Sequence, residues 1–480
     1  MGGKSKAIDV SNRRQMFIDH RFIARCDGVE LNVNPPMLHR PVVTAERPWE
    51  AGWMHYACLV QESNALKLWY GCHPPSEDGE LGPEYFCYAT SGDGVRWERP
   101  SLGLVEYMGS KDNNILPLSG SMVFIDPKAP PHQRFKMLRS KASEDLEQAG
   151  LYIAYSADGI HWKEHPQRVL PHLPDTQNQV FYDSHLGKYV AYLRSWAPLR
   201  KVVRAQMDDV LQPWPYDQSF KPVKPWGEKY PPVPTHELPT AISYDQLDPP
   251  ETDIYTPAVS VYPWAQDVYL AFPSIYCHFP DPPKGRWRND GLLEIQLAVS
   301  RDGMSFERPD RRRAYIPLGL RGEPQGGSLY MVPGLARMGD EVYHYYVAYA
   351  HSHGEYVGFR ELRGIGAIYL AVQRLDGFIS ADAAYTGGWL ETPPIIFSGC
   401  RLELNLDCGA TGHTLVELLD AGCTPIEGFT AEETDPIRGN HLHYTVTWQG
   451  RNDVSRLAGR VIRLRFTMRN AKLYAFQFLP

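Results

Sequence analysis

The chain has 480 residues, 43% hydrophobic and 22% charged, with a formal net charge of −7 and no basic patch, a balance that indicates two or three globular domains and excludes nucleic acid as an expected partner. No apolar run is long enough to span a membrane, and "MGGKSKAIDVSNRRQMF" lacks the apolar core of a secretory leader, so a cytoplasmic location is expected for the chain as written. The eight cysteines form no C-x-x-C pair and show no short zinc spacing, so they read as isolated core or loop thiols and no cofactor or metal is expected.

Taken in chain order, the predicted elements are short strands punctuated by one recurring phrase. "YATSGDGVRWERP" begins at Tyr88, "AYSADGIHWKEHP" at Ala154 and "AVSRDGMSFERP" at Ala298. In each, a β-rich run leads into Ser-x-Asp-Gly, where glycine supplies a positive φ and the aspartate bonds backbone amides ahead of it. An aromatic follows four residues after the aspartate: Trp97 after Asp93, Trp162 after Asp158, Phe306 after Asp302. Weaker copies are "VRAQMDDVLQPW", ending at Trp214, and "AVQRLDGFIS", around Asp376.

Each of the five copies follows a hairpin of two hydrophobic strands, such as "MHYACLVQESNALKLWYG" and "QVFYDSHLGKYVAYLRSW". Five units of four antiparallel strands predict an all-β protein with a five-bladed β-propeller as catalytic domain over residues 1–382. An irregular β-sandwich with chance turns is the competing reading. The strand-like "RQMFIDHRFIA" is expected either to close the last blade or to run across the face of the ring. The longest insertion, the Pro-rich "KPVKPWGEKYPPVPTHELPTAISYDQLDPPET", reads as a surface excursion near the mouth. Longer alternating strands without the phrase predict a β-sandwich over residues 383–480, expected to support the propeller or to form a subunit contact in a homo-oligomer.

The phrases "RPWE", "YATSGDGVRWERPSLGLVEY", "DTQN", "DIYTP", "NDGLLEIQLAVSRDG" and "LRFTMRNAKLYAFQF" resemble a large bacterial group similar to glycoside hydrolase family 32. A five-bladed propeller followed by a β-sandwich looks like the glycoside hydrolases of families 32, 43, 68 and 117. The resemblance spans nearly the whole chain and implies a glycosidase. The Trp-Met-Asn-Asp-Pro, Arg-Asp-Pro and Glu-Cys signatures of family 32 are absent, so invertase or levanase activity is not expected. Where the group's pattern places an aspartate ahead of the fifth innermost strand, this chain has "PQGG".

Propellers of this class hold ligands at the face where innermost strands start, and third strands start there too. That sorts the polar residues. Asp126 and Asp183 follow first strands and read as turn formers on the far face. Ahead of first strands lie Glu50 and His55, then Asp175, Gln177 and Asn178, then Asp253 and Tyr255. Around the starts of third strands lie Arg194, Arg200, His278, Arg286, Glu294 and His351. Asp175, Asp253, Glu50 and Glu294 are the expected catalytic acids, without allotted roles. Asn178, Gln177, Arg194, Tyr255, Arg286, His278, His351, His55 and Asp19 are the expected substrate-binding set. His351 and His353 are read as substrate contacts in preference to metal ligands.

Glycoside hydrolysis needs a carboxylic acid to protonate the leaving oxygen and a second carboxylate to attack or to activate water. The expected function is therefore removal of a terminal sugar, a furanoside or an unusual glycoside, from an oligosaccharide. Two alternatives stand beside it. A glycoside phosphorylase would use a cationic cluster drawn from Arg194, Arg200, Arg204, Arg286 and Arg288. A non-catalytic propeller would bind carbohydrate without turnover.

Overall fold

The computed structural model describes residues 7–75, 82–143, 145, 147–196, 199–216, 238–282, 289–358 and 364–480. It is nearly all β: among the described residues one short helix, His353–Gly358, and four 3-10 turns interrupt the strands. No helix among these residues is long and apolar enough to cross a membrane.

Four-stranded antiparallel units succeed one another along the chain. The first comprises Trp53–Glu62, Ala65–His73, Tyr85–Ser91 and Ile115–Leu116; the second Met122–Ile125, Phe135–Lys141, Gly150–Ser156 and Lys163–Leu170; the third Gln179–Asp183, Lys188–Trp196, Arg200–Met207 and Thr240–Ile242. The fourth is interrupted at mid-strand. Thr252–Thr256, Ser274–His278, Gly291–Gln296 and Ala314–Ile316 form one part, and Val259–Val261, Tyr269–Ala271 and Ala298–Ser300 the other. The break in its first strand falls at Pro257, which has no N–H to give to a ladder, and at Ala258, whose φ is +42°. The fifth unit comprises Ser328–Met331, Glu341–Tyr349 and Ala367–Arg374, and its outer strand is Met37–Val43, from the other end of the chain.

Contacts between first strands close these units into a ring. The Val123 amide meets Cys58 Sγ at 3.2 Å, joining units one and two. The Gln177 amide donates to the Ala57 and Ser121 carbonyls at 2.8 and 2.7 Å, tying unit three to both. Gln179 exchanges hydrogen bonds with the Val259 backbone in unit four, and Ser274 Oγ reaches the Leu329 carbonyl of unit five at 2.9 Å. The Leu59 amide then donates to the Pro333 carbonyl at 2.8 Å, returning to unit one.

A strand inside such a ring buries both faces, so its two sets of alternating side chains enter different cores. Leu66, Leu68, Tyr70 and Cys72 pack with Tyr345, Val347 and Leu370 of unit five. Trp69, between them, packs with Phe135 and Leu138 of unit two. This is why the hairpins read as near-continuous apolar runs.

The recurring phrase fastens each unit to the one before it. In its turns the glycines take φ of +75°, +82° and +68° at Gly94, Gly159 and Gly303. Asp93 accepts from the amides of Val95 and Arg96, and Asp158 from those of Ile160 and His161, all at 2.8–2.9 Å. The glycine carbonyls are left facing the neighbouring unit. Gly94 accepts the Tyr345 phenol at 2.8 Å, Gly159 the Trp69 indole at 2.8 Å and Gly303 the Tyr192 phenol at 2.6 Å. On the same far face Asp126 and Asp183 accept the Tyr189 and Tyr269 phenols from the units that follow.

The C-terminal strands build two further six-stranded sheets around one core. Here the organisation departs from the expected division into 1–382 and 383–480. Ile8–Ser11 pairs with Ile395–Phe397, Gln15–Met16 with Ala471–Leu479, Arg25–Asp27 with Gly388–Glu391, and Val29–Val33 with Ile379–Ala383. The opening segment therefore does not close the fifth unit; it joins the C-terminal sheets and lies against the far-face turn of unit four, where Gln15 meets Gln266 and Arg21 meets Asp267. Phe17 and Phe22 explain it: they complete the C-terminal core edge-on against Phe466 and Phe476, at 6.3 and 5.3 Å. Arg14 fastens the two bodies together through Asp376 at 2.8 Å, Glu403 at 2.7 Å and Gln477 at 3.0 Å.

Candidate functional site

At the end of the ring where first strands begin, Tyr255 lies between two arginines. The Arg194 guanidinium stands 4.0 Å from its ring centroid and that of Arg200 5.6 Å. Each arginine carries an aspartate at the start of one of two adjacent first strands: Asp175 lies four residues ahead of Gln179–Asp183, and Asp253 is the second residue of Thr252–Thr256. Arg194 holds Asp175 Oδ2 at 2.9 Å and the Tyr255 carbonyl at 2.8 Å. Arg200 gives its backbone amide to Asp253 Oδ1 at 2.6 Å and its guanidinium to Oδ2.

The two carboxylates differ in environment. Asp253 is 1% exposed and also takes a 2.7 Å contact from His278 Nε2. Burial pushes its carboxyl up, but the His278 hydrogen bond and the Arg200 charge outweigh that and leave it below the ordinary range. His278 Nδ1 faces the Asn289 carbonyl at 2.8 Å, so both ring nitrogens meet oxygens. The Asp175 side chain is 26% exposed, and Arg194 holds its Oδ2 at 2.9 Å. Among the described residues its Oδ1 accepts no hydrogen bond.

Aromatic and imidazole rings surround these ions. His353 stands edge-on to Tyr255 and Tyr276 at 4.8 and 5.0 Å, and its Nδ1 meets the Tyr330 phenol at 2.9 Å. Burial and the Arg200 and Arg194 charges hold it well below the usual imidazole range, so it is neutral. Asp290 accepts from Ser352 Oγ at 2.9 Å and from the Gly354 amide at 2.6 Å, tying unit four to the helix between the second and third strands of unit five. Its neighbour Asn289 bears the carbonyl that meets His278.

Two residues in this cluster carry strained backbone. Tyr56 has φ +23°, at a bulge where the register of unit one shifts between His55 and Ala57, and Thr176 has φ +148°. A bulky residue at positive φ costs on the order of 1–3 kcal/mol, and bulges beside functional sites re-aim side chains. Tyr56 Oη lies 3.4 Å from Thr176 Oγ1, the residue next to Asp175. Its ring stands edge-on to Tyr330 at 6.1 Å. Tyr56 had no signature in the sequence, because a bulge leaves no mark in a strand-like pattern.

Other expected site residues have structural partners. Gln177 spends its amide on the ring, as above. Asn178 Oδ1 accepts the Arg194 amide at 2.9 Å while its Nδ2 donates to the Pro174 and Thr176 carbonyls, shaping the loop that carries Asp175.

The structure gives four more of the expected residues partners of their own. Glu50 is fully buried within unit one, where it accepts from Tyr70 Oη at 2.6 Å, Arg99 Nε at 3.0 Å and the Glu46 and Arg47 amides. It curls back onto its own sheet because Thr44–Glu50 forms turns held by those amides; burial raises its carboxyl, with Arg99 and Tyr70 opposing. Glu294 lies in mid-strand opposite Ile275, and the strand's alternation gives the inner position to Leu293. Its carboxyl, raised by burial, is 3.4 Å from Gln296, which belongs to the Arg308–Asp248 network. Asp19 pairs with Arg301, both contacts at 2.9 Å, beyond the far-face turn of unit four, since its segment belongs to the C-terminal sheets. His55 is tilted against Trp53 at 4.5 Å, stacked on His73 at 5.1 Å and edge-on to Tyr56 at 5.5 Å, with its Nε2 3.7 Å from Glu84.

His351 lies 3.6 Å from Glu355, within its own turn. Among the described residues no three His, Cys, Asp or Glu side chains converge as a metal site. Arg286 and Arg288 fall outside the described residues. Arg204 donates to Gln206 at 3.2 Å, so the described part of the expected cationic cluster reduces to Arg194 and Arg200, each already holding an aspartate.

No family model matches the sequence, and no curated protein matches it. Among solved structures the chain is similar to one described as a glycoside hydrolase, 14% identical over 71% of this chain and 92% of that one, with a TM-score of 0.44. A glycosyl hydrolase from Bacteroides ovatus is 14% identical over 76% and 97%, with a TM-score of 0.43. A thermostable family-43 glycoside hydrolase is 13% identical over 71% and 95%, with a TM-score of 0.41.

Proposed function

We propose that the chain is a glycoside hydrolase that removes a terminal sugar, with the closed ring acting as a five-bladed β-propeller catalytic domain and the paired C-terminal sheets as a supporting β-sandwich. The observation that carries this reading is the pair of arginine-held aspartates at adjacent first strands, one closed off and one open. As one of the two carboxylates the reaction needs, Asp175, held by Arg194 at one oxygen, would activate water or attack the sugar, while the leaving oxygen takes its proton from a second acid outside this arginine-held pair. Asp253 has its oxygens filled by Arg200 and His278. Its role is to fix the Arg200 guanidinium and the His278 ring against Tyr255 and Tyr276, so it is a positioning residue. The tyrosine rings supply apolar faces for a sugar ring, and the arginine and imidazole groups supply donors.

The test is a screen of aryl furanosides, aryl pyranosides and natural oligosaccharides, with and without phosphate. Cleavage without phosphate, lost in Asp175→Asn, supports the reading. Cleavage only with phosphate transfers the site to a phosphorylase. Sugar binding with no cleavage across the panel leaves a binding propeller.

A further inference from the structure

Tyr56 is the residue on which the local distortions converge. It is an aromatic at positive φ in the first strand of unit one, and the bulge that strains it turns its ring toward units three and five. The residue it meets, Thr176, is itself strained and directly follows Asp175. A phenol buried in a core finds a close partner, as Tyr345 and Tyr192 do at 2.8 and 2.6 Å. Tyr56 is half-buried, and among the described residues its hydroxyl has only the 3.4 Å approach to Thr176 Oγ1, which is itself 3.5 Å from the Tyr255 carbonyl. Its neighbours are Asp175, Arg194 and Tyr255.

We propose that Tyr56 is a substrate-contacting hydrogen-bond donor that fixes a sugar hydroxyl beside Asp175. The inference rests on the glycosidase reading of the same site and adds a specificity-determining residue to it. Burial, followed by the proximity of Tyr255, holds the phenol well above its ordinary range, so it keeps its proton and acts as a donor. It positions a hydroxyl and transfers no proton. Its hydroxyl, 3.4 Å from the residue that follows Asp175, would give the pair a donor and an acceptor for neighbouring sugar oxygens. A sugar lacking the matching hydroxyl would leave the phenol unpaired, the arrangement that discriminates most strongly against deoxy analogues.

The experiment uses the full chain and its Tyr56→Phe variant, which keeps the ring on Tyr330 and removes only the hydroxyl. Binding of free monosaccharides and their monodeoxy derivatives is followed by saturation-transfer NMR and calorimetry, beside turnover of any glycoside the screen yields. The expected result is about a 3- to 10-fold loss in affinity and in kcat/KM, with the melting temperature unchanged. In the unmodified protein one monodeoxy sugar should show the same loss, and Tyr56→Phe should not distinguish that sugar from its parent. This second arm needs no variant to fold. If Tyr56→Phe binds and cleaves like the parent protein, or if every monodeoxy sugar binds like its parent, the inference is overturned while the glycosidase reading stands. If a sugar binds, Tyr56→Phe weakens it and nothing is cleaved, the inference stands and the glycosidase reading falls. If no sugar binds the parent protein, both fall.

Discussion

Arg200 binds Asp253 twice, once through its backbone amide at 2.6 Å and once through its guanidinium, while His278 contacts the same carboxylate at 2.7 Å. Neutralising such a group strands the charges around it. Asp253→Asn should therefore destabilise the fold by about 3–5 kcal/mol, the cost of breaking a buried ion pair by removing one partner. Denaturant unfolding followed by circular dichroism measures it. A variant that melts with the parent would show that Arg200 and His278 do not depend on this carboxylate.

Asp175→Asn should behave differently. Its side chain is 26% exposed and its arginine also holds the Tyr255 carbonyl, so the cluster keeps its frame. The expected result is an unfolding midpoint close to that of the parent protein and a loss of about 10²–10⁴ in turnover. Comparing the two aspartate variants on one cleaved glycoside separates chemistry from positioning, because only Asp253→Asn should lose stability as well.

The clasps between units should add up. Tyr345→Phe leaves the Gly94 carbonyl without its phenol, and Tyr192→Phe does the same to Gly303. Each should cost about 1–3 kcal/mol, the penalty for a buried polar group deprived of its partner. The two sites lie in different units and share no partner, so the double variant should lose the sum. A marked shortfall in equilibrium unfolding would mean that the ring redistributes the strain.

Acid should weaken the protein below neutrality. Burial pushes His344 and His172 down to about 3. In the unfolded chain both would titrate near 6.5. Above that pH neither state takes up a proton and the stability is fully present. As pH falls from 6.5 toward 3 the unfolded chain binds protons that the folded chain refuses, so stability is lost by about 1.4 kcal/mol per pH unit for each histidine. His344→Gln should flatten the slope over this window, as read from unfolding midpoints at several pH values.

What the sequence disclosed follows the range of the forces involved. The Ser-x-Asp-Gly turns are legible because a side chain and amides two or three residues away make them, as at Asp93 with Val95 and Arg96. The hairpins are legible because their partners are near neighbours. The destination of the opening segment is not, since Gln15 pairs with Phe476 and a strand's pattern does not name its partner. In the site, Asp175, Asp253, Arg194, Arg200, His278 and Tyr255 could be found by their positions relative to first and third strands. Glu50 and Glu294 could not be judged so. One tight turn sends the first back onto Tyr70, and one step of strand alternation sends the second toward Gln296.

The two chain ends are woven together, and that sets an order for synthesis. Met37–Val43 is translated early, yet its partner Ala367–Arg374 emerges more than three hundred residues later. The strands Ile8–Ser11 through Val29–Val33 wait for partners that lie between Ile379 and Leu479. On the ribosome, units one to four can form as their hairpins appear, whereas the strands between Ile8 and Val43 remain unpaired edges until the partners from Ala367 onward have been made. Such late, distant pairing is slow and leaves strand edges open to wrong partners. A nascent chain stalled before Ala367 would carry four formed units, an unsealed fifth and a loose leading arm, so chains stalled there should be captured by chaperones and proteases through that arm.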